Sequence, residues 1–126
     1  GLGLFDYESL SFSVIAGSSS QYGFADGALS QILFYHPEEV AFLCPRKLLI
    51  ADFSNNRLRV LHLITNTSSS ICSGVEGHLD GDLLSCQLNH PWSLLTVNDV
   101  IFVGQDRYIR SIQGKYHHSS PGFAKY

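Results

Sequence analysis

The most distinctive polar cluster in the sequence begins at Asp52, the last residue of the run KLLIAD, and continues with Asn55, Asn56, Arg57 and Arg59. A carboxylate beside guanidinium groups makes strong, charge-assisted hydrogen bonds where the groups are partly buried. Such a cluster can act as a binding or catalytic group, or it can hold neighbouring segments of backbone together. The residues alone leave both roles open.

Two Asp-Gly pairs, Asp26-Gly27 and Asp80-Gly81, could supply calcium ligands, since Asp82 adds a further carboxylate beside the second pair. A calcium ion needs about six to eight oxygen ligands from a loop with regularly spaced acids, and neither segment offers that pattern. Asp before Gly is more typical of a turn, in which the carboxylate caps backbone N–H groups and Gly takes a positive φ. We therefore interpret all four residues as structural.

The remaining chemistry-bearing residues match no catalytic pattern. The six histidines include no His-x-x-x-His pair on a helical pattern, and no Gly-x-Ser-x-Gly motif or phosphate-binding glycine loop is present. The three cysteines fit no zinc spacing, and we interpret them as small buried residues, with their pairing left open. The sequence predicts no catalytic residue, no metal and no cofactor.

The composition limits the function classes. With 126 residues, 44% of them hydrophobic and 15% charged, the chain has the size and composition of one globular domain. The net charge of −3 comes without any cluster of Lys and Arg, which argues against nucleic-acid binding. The longest apolar run is too short to span a membrane. The sequon at Asn66 is a glycosylation candidate and favours a secreted or lumenal protein.

The chain contains an internal repeat, which shows what elements must position these residues. The segments GFADGALSQILFYHP (23–37) and GHLDGDLLSCQLNHP (77–91) match at six of 15 positions. Short runs rich in Val, Ile, Leu and Phe follow both segments and are bounded by Pro, Asn, Asp, Gly or Ser, which is typical of strands. Several runs are apolar at nearly every residue, so both of their faces should be covered. The sequence predicts an all-β fold of stacked repeats.

The order Gly, Asp-Gly, Pro, apolar strand and then L-x-I-A-D-x-x-x-N-R-L-R-V resembles the NHL repeat. The first copy is residues 14–61 and the second, weaker copy is residues 71–112. The resemblance covers about residues 1–113 and leaves 114–126 as a divergent tail. It implies an incomplete β-propeller of four-stranded antiparallel blades, with one whole blade flanked by pieces of two others.

Within the implied blade plan, Asp52 and Asn56 close the turn between the second and third strands, and we favour this structural role over a functional one. Arg59 and Arg110 lie on the third strands of the two copies. The second copy is expected to have Gly104 where the first has Asp52.

The same plan places Glu38–Leu43 and Trp92–Val97 as innermost strands beside the central channel. Glu38 and Glu39 are the acidic residues that these strands offer, at one end. Trp92, the only Trp, either packs in the core or forms a platform for a ligand at the channel mouth. These three residues are the candidate binding residues.

The resemblance implies a non-catalytic protein-interaction or scaffold module. Its partner would be another protein or the remaining blades of the same propeller, and the chain would not be a stand-alone monomer. The alternative is a fragment of a propeller enzyme, a metal-dependent lyase or a lactonase-like hydrolase, because some NHL-type propellers are metal-dependent lyases. An enzyme would need several inward His or acidic residues from successive innermost strands. The two innermost strands here offer only Glu38 and Glu39, which favours the first interpretation.

Overall fold

The computed structural model describes residues 1–6, 8, 9 and 11–113, and the tail predicted at 114–126 lies outside these residues. The described chain contains strands and one 3-10 turn at Phe53–Asn55, with no α-helix. This confirms the prediction of an all-β chain. The strands are β1 Leu2–Asp6, β2 Ser11–Ala16, β3 Pro37–Cys44, β4 Lys47–Asp52, β5 Arg57–His62, β6 Thr67–Ile71, β7 Pro91–Val97, β8 Val100–Gln105 and β9 Tyr108–Gln113.

The strands form three antiparallel sheets, which we call the first blade (β1–β2), the middle blade (β3–β6) and the last blade (β7–β9). Strands β3 and β7 lie side by side. A Glu39 carboxylate oxygen accepts a hydrogen bond from the Leu94 backbone N–H, and the Thr96 hydroxyl donates to the Phe42 carbonyl. The blades are therefore arranged as in an incomplete β-propeller, with β3 and β7 as innermost strands.

Strand β4 explains why the middle blade needs a cover on both faces. Leu49 and Ala51 belong to an apolar cluster shared with the last blade. Ile50, between them, belongs to a second cluster that includes Ile32 and Phe34 of the preceding connecting segment. A strand that is apolar at every position is stable only where both faces are buried. The core is thus two layers, one on each side of the middle blade.

The strand register aligns the middle and last blades. Pro37 pairs with Asp52, and Pro91 pairs with Gln105, with a β-bulge next to each pair. Gln105 therefore stands at the position of Asp52, and the assignment of Gly104 to that position was wrong. Strand β3 has a second bulge, between Phe42 and Cys44, that β7 lacks, so β3 is one residue longer and the spacing of the sequence alone misaligns β4 with β8.

A buried ion pair joins the second and third strands of the middle blade. Arg59 Nη1 lies 2.8 Å from an Asp52 carboxylate oxygen, and both side chains are fully buried. The same carboxylate accepts hydrogen bonds from the Tyr35 backbone N–H and the Asn55 amide, each at 2.8 Å. The pair is thus hydrogen-bonded on both sides, which buried charges require.

Two of the three cysteines form a disulfide. Cys72 and Cys86 are bonded across the segment that leads to β7, whereas Cys44 is free and buried. All three are buried as expected, and the pairing that the sequence left open is Cys72 with Cys86. An odd number of cysteines shows only that one has no partner in the chain. It does not show that the others are close enough to bond.

We expect Asp52→Ala to lower the free energy of unfolding by about 3–5 kcal/mol, because it leaves a buried guanidinium without its partner. The matched control is Gln105→Ala, which removes an uncharged hydrogen-bonding group at the equivalent position of the last blade. That change should cost about 1–3 kcal/mol. Denaturant unfolding of the full-length variants measures both values. Equal losses in the two variants would contradict a stabilising ion pair at Asp52.

Replacing both Cys72 and Cys86 by Ser should cost about 2–4 kcal/mol, since the loop between them is no longer closed in the unfolded chain. Mass spectrometry of the native protein under non-reducing conditions should find one disulfide and one free thiol at Cys44. Unfolding in the presence and absence of a reductant measures the loss. Three free thiols in native material would show that the disulfide does not form.

Candidate functional site

The Asp26 carboxylate lies in a dense hydrogen-bond cluster. It accepts from the Arg59 guanidinium, 2.8 Å away, and from the hydroxyls of Ser68 and Ser70 on β6. The expectation that Asp26 caps backbone N–H groups was therefore wrong, because side chains distant in sequence take its oxygens. Gly27 has a φ of 126°, as a turn glycine should.

Burial raises the pKa of Asp26, but hydrogen bonds from Ser70, Ser68 and Arg59 outweigh burial and leave the pKa below its usual value. A carboxyl whose pKa is lower in the folded than in the unfolded state stabilises the fold at neutral pH. That contribution is lost as the pH falls through the folded pKa. Asp26 is thus an ionised structural group rather than a general acid at neutral pH.

The last blade repeats half of this cluster. Arg110 contacts Asp80 and donates to the backbone carbonyls of Leu79 and Gln87. Arg59 makes the equivalent contacts with the carbonyls of the first connecting segment. Backbone capping falls to Asp82, which accepts from two N–H groups at 2.9 Å, and not to Asp80 as predicted.

Glu38 and Glu39 are the second and third residues of the innermost strand β3 and differ in their contacts. Glu39 accepts a hydrogen bond of 2.6 Å from the Leu94 backbone N–H and so links β3 to β7. Glu38 is exposed. Among its described residues, the structure shows no hydrogen bond of Glu38 to the neighbouring blade.

Trp92 is exposed and lies on the face of the last blade that points away from the middle blade. A Cβ added to Gly104 would lie 3.7 Å from the Trp92 ring, so the ring packs over β8. Leu95 and Phe102 pair across β7 and β8 and are exposed on the same face. Trp92 therefore belongs to an apolar outward face rather than to the core between the blades.

One end of the blades carries a group of aromatic and imidazole rings, which we call the aromatic end. Tyr22 stacks on Tyr35 with ring centres 4.7 Å apart, and the His36 ring lies 4.8 Å from Tyr35. Phe53 lies 4.7 Å from the His90 ring. At the opposite end, the turns 45–46, 63–66 and 98–99 contain no aromatic residue, and Phe5 and Phe12 form a ring pair beside the turn between β1 and β2.

The two blades hold this end together through equivalent backbone positions. His36 and His90 precede the prolines that begin β3 and β7, and they have φ values of 53° and 49°. A left-handed conformation is uncommon for residues other than Gly, and its recurrence at equivalent sites indicates a shared constraint. The Asn56 side chain, also on a left-handed residue, accepts from the His90 N–H at 2.9 Å. The His-Pro repeat was the only sequence signal for this end.

The rings of the aromatic end are suited to packing against another molecule. Within the described ranges, no group of three or more His, Cys, Asp or Glu residues is close enough to hold a metal ion. Rings that are already stacked lose little freedom when a partner packs on them. Tyr and Trp combine a large apolar surface with a polar atom, which suits them to interfaces. The same part of the chain contains no helix long and apolar enough to cross a membrane.

Asn66 lies at the opposite end from the aromatic rings. It is exposed in the turn between β5 and β6 and has a φ of 54°. Its backbone carbonyl accepts a hydrogen bond from the Leu29 N–H, which fixes the turn against the connecting segment. Its side chain is accessible, so glycosylation of Asn66 stays a prediction.

The fold is similar to solved structures from Bacteroides, although no protein-family profile and no curated protein matches the sequence. An auxiliary nutrient binding protein of Bacteroides thetaiotaomicron has a TM-score of 0.69 at 18% identity, covering 82% of this chain and 29% of that protein. Its counterpart from Bacteroides ovatus has a TM-score of 0.65 at 21% identity over the same shares. A Bacteroides thetaiotaomicron protein of unknown function has a TM-score of 0.74 at 22% identity, covering 79% of this chain and 26% of that protein. The chain spans less than a third of each, and these likenesses concern the fold.

Proposed function

We propose that this chain supplies consecutive NHL-type blades of a larger propeller and acts as a non-catalytic protein-interaction module. The observation that carries the proposal is the equivalence between the buried face of the middle blade and the outward face of the last blade. Leu49 and Leu58, both 0% exposed, pack against the last blade. Their equivalents in strand register are Phe102 and Ile109, which are 37% and 79% exposed.

Because Phe102 and Ile109 are large and apolar like Leu49 and Leu58, they should also be buried by a neighbouring blade. The outward face of the last blade comprises Trp92, Leu95, Val97, Phe102 and Ile109, all of which are exposed. Contiguous apolar surface of this kind is rare on monomeric proteins and marks an interaction site. A further blade would bury this face as the last blade buries the face of the middle blade.

The aromatic end supports the binding role of the completed module. Loops held on a rigid scaffold carry binding functions, and here the strand starts and connecting segments gather the rings of Tyr22, Tyr35 and His36 at one end. Interfaces are enriched in Tyr, Trp and Arg. Two of the Bacteroides proteins with a similar fold are auxiliary nutrient binding proteins, which agrees with a binding role but names no ligand for this chain.

A secreted or lumenal location agrees with two features of the chain, its disulfide and its sequon. The Cys72–Cys86 disulfide is of a kind that persists in oxidising compartments and is rare in the cytosol. The accessible Asn66 sequon is modified only in proteins that enter the secretory route.

The proposal predicts that Ile109→Ala in the complete protein costs about 2–5 kcal/mol, as does Leu58→Ala, because both residues are then buried between blades. In residues 1–126 expressed alone, Ile109→Ala should be nearly neutral, and the unsubstituted segment should aggregate or assemble. Unfolding experiments and sedimentation measure these outcomes. A soluble monomer with cooperative unfolding, or a neutral Ile109→Ala in the complete protein, would contradict the missing blade.

The enzyme alternative makes a different prediction. A propeller lyase or lactonase-like hydrolase would carry a metal at its channel, whereas the proposed module should purify without one. Elemental analysis of the purified full-length protein, before and after dialysis against a chelator, measures bound metal. We expect less than about a tenth of an equivalent of metal per chain, because a structural zinc or calcium site would hold about one equivalent. One equivalent per chain that stabilises the fold would favour the enzyme.

A further inference from the structure

Asn66 lies in the wall of a cleft between the first and middle blades. Strand β2, residues 28–30 and the turn between β5 and β6 enclose a volume of about 400 Å³. Val14, Ile15 and Leu29 line this volume, together with the polar residues Ser30 and Asn66. A volume of this size falls within the roughly 300–1,000 Å³ typical of clefts that hold a small molecule. We call this space the β2 cleft.

The walls of the β2 cleft are held together by contacts between segments that are distant in sequence. The Leu29 N–H donates to the Asn66 carbonyl at 2.9 Å, and Ala28 forms a β-bridge with Thr67. The segments that line the cleft all lie within the continuous described range 11–113. The cleft is therefore formed between described segments and is not the open edge of a sheet.

The Asn66 side chain is available for modification. Asn66 is exposed, and its backbone carbonyl rather than its side chain takes part in the contact with Leu29. Within the described ranges, no hydrogen bond of its side-chain amide is observed. Asn66-Thr67-Ser68 is the acceptor pattern for an N-linked glycan. The acceptor nitrogen thus belongs to a residue in the wall of a cleft of small-molecule size.

We propose that Asn66 carries an N-linked glycan whose first sugar, an N-acetylhexosamine, packs in the β2 cleft. In the attachment step, Asn66 Nδ2 bonds to C1 of the sugar and gives up one amide proton to a base of the transferase. The bond between C1 and the lipid-linked pyrophosphate donor breaks, and the pyrophosphate leaves with the electron pair. The inference rests on the secreted or lumenal location proposed above.

The chemistry of a hexosamine matches the β2 cleft. One face of the sugar ring presents C–H groups, and its edge carries hydroxyls and an amide. Val14 is 61% exposed, so a sugar packed on it removes apolar surface from water. The exposed Ser30 offers a hydroxyl to the polar edge of the sugar. Because the sugar is bonded to the wall of the cleft, packing costs it none of the translational freedom that a free ligand would lose.

The first measurement is the occupancy of Asn66. Peptide mass spectrometry of the complete protein from the cells that produce it should find a glycan on Asn66. The unglycosylated reference is Asn66→Asp, since Asp also tolerates the left-handed turn conformation. Ser68→Ala would remove the sequon too, but it is unsuitable as a reference because the Ser68 hydroxyl donates to Asp26 at 2.7 Å. A bare Asn66 would overturn the inference.

The second measurement tests where the sugar lies. Trimming the glycan to its first sugar with an endoglycosidase should leave the Tm of the complete protein unchanged, whereas Asn66→Asp should lower it by about 2–4 °C. In a Val14→Ser background this difference should fall by at least about half, because the sugar loses its apolar contact. The matched control is Leu4→Ser on β1, which is exposed in the same blade but does not line the cleft. Equal differences in the two backgrounds would overturn packing in the β2 cleft.

The inference and the proposed function fail separately. Burial of Ile109 by a further blade does not involve Asn66. A bare Asn66 in a complete protein that Ile109→Ala destabilises would overturn the glycan and leave the proposed function standing. A glycan on Asn66 in a complete protein that Ile109→Ala does not destabilise would support the inference and contradict the missing blade.

Discussion

The buried guanidinium of Arg59 is the interaction on which the middle blade depends. It joins three parts of the chain that are distant in sequence: Asp52 at the end of β4, Asp26 in the connecting segment, and the carbonyls of Ala25 and Leu33 in that segment. A fully buried Arg is tolerated only when its donors are satisfied and its charge is balanced. The two carboxylates and two carbonyls meet both conditions. The segment before β3 is therefore held to its own blade, although it begins at the outer strand of the blade before.

This one contact explains why the sequence repeats. A connecting segment that must contact the third strand of its own blade needs an Asp at a fixed position in the segment. It also needs an Arg at a fixed position in that strand. Asp80 and Arg110 meet this need in the last blade, and the carbonyls of Leu79 and Gln87 match those of the first segment. The repeated polar residues are thus those that make the same tertiary contact in each blade. Strand propensity alone would preserve apolar character but not these polar positions.

The strands could be predicted because apolar runs such as KLLIAD are a local signal. A strand covered on both faces is apolar at nearly every position, so its run stands out in the sequence. The roles of the polar residues depend on partners that the spacing does not show. Asp26 was expected to cap a turn, but Arg59, 33 residues later, takes its carboxylate. Gly104 was aligned with Asp52, but the second β-bulge in β3, which β7 lacks, moves Gln105 into that register. The aromatic end had only the His-Pro repeat as a signal, since its rings come from separate segments.

The disulfide shows how the two connecting segments solve one packing problem by different means. Gly17 and Gly74 have φ values of 88° and 82°, and they align Ile15 with Cys72. Ile32 and Cys86 occupy the same place in the repeated segments. Ile15 packs against the apolar cluster that contains Ile32, so the first segment is held by contact between aliphatic side chains. The second segment replaces that contact with a covalent bond, at the blade whose Asp80 is more exposed and whose outer edge has no described strand beside it. A covalent bond holds its segment independently of how tightly the neighbouring side chains pack, whereas the aliphatic contact in the first segment depends on that packing.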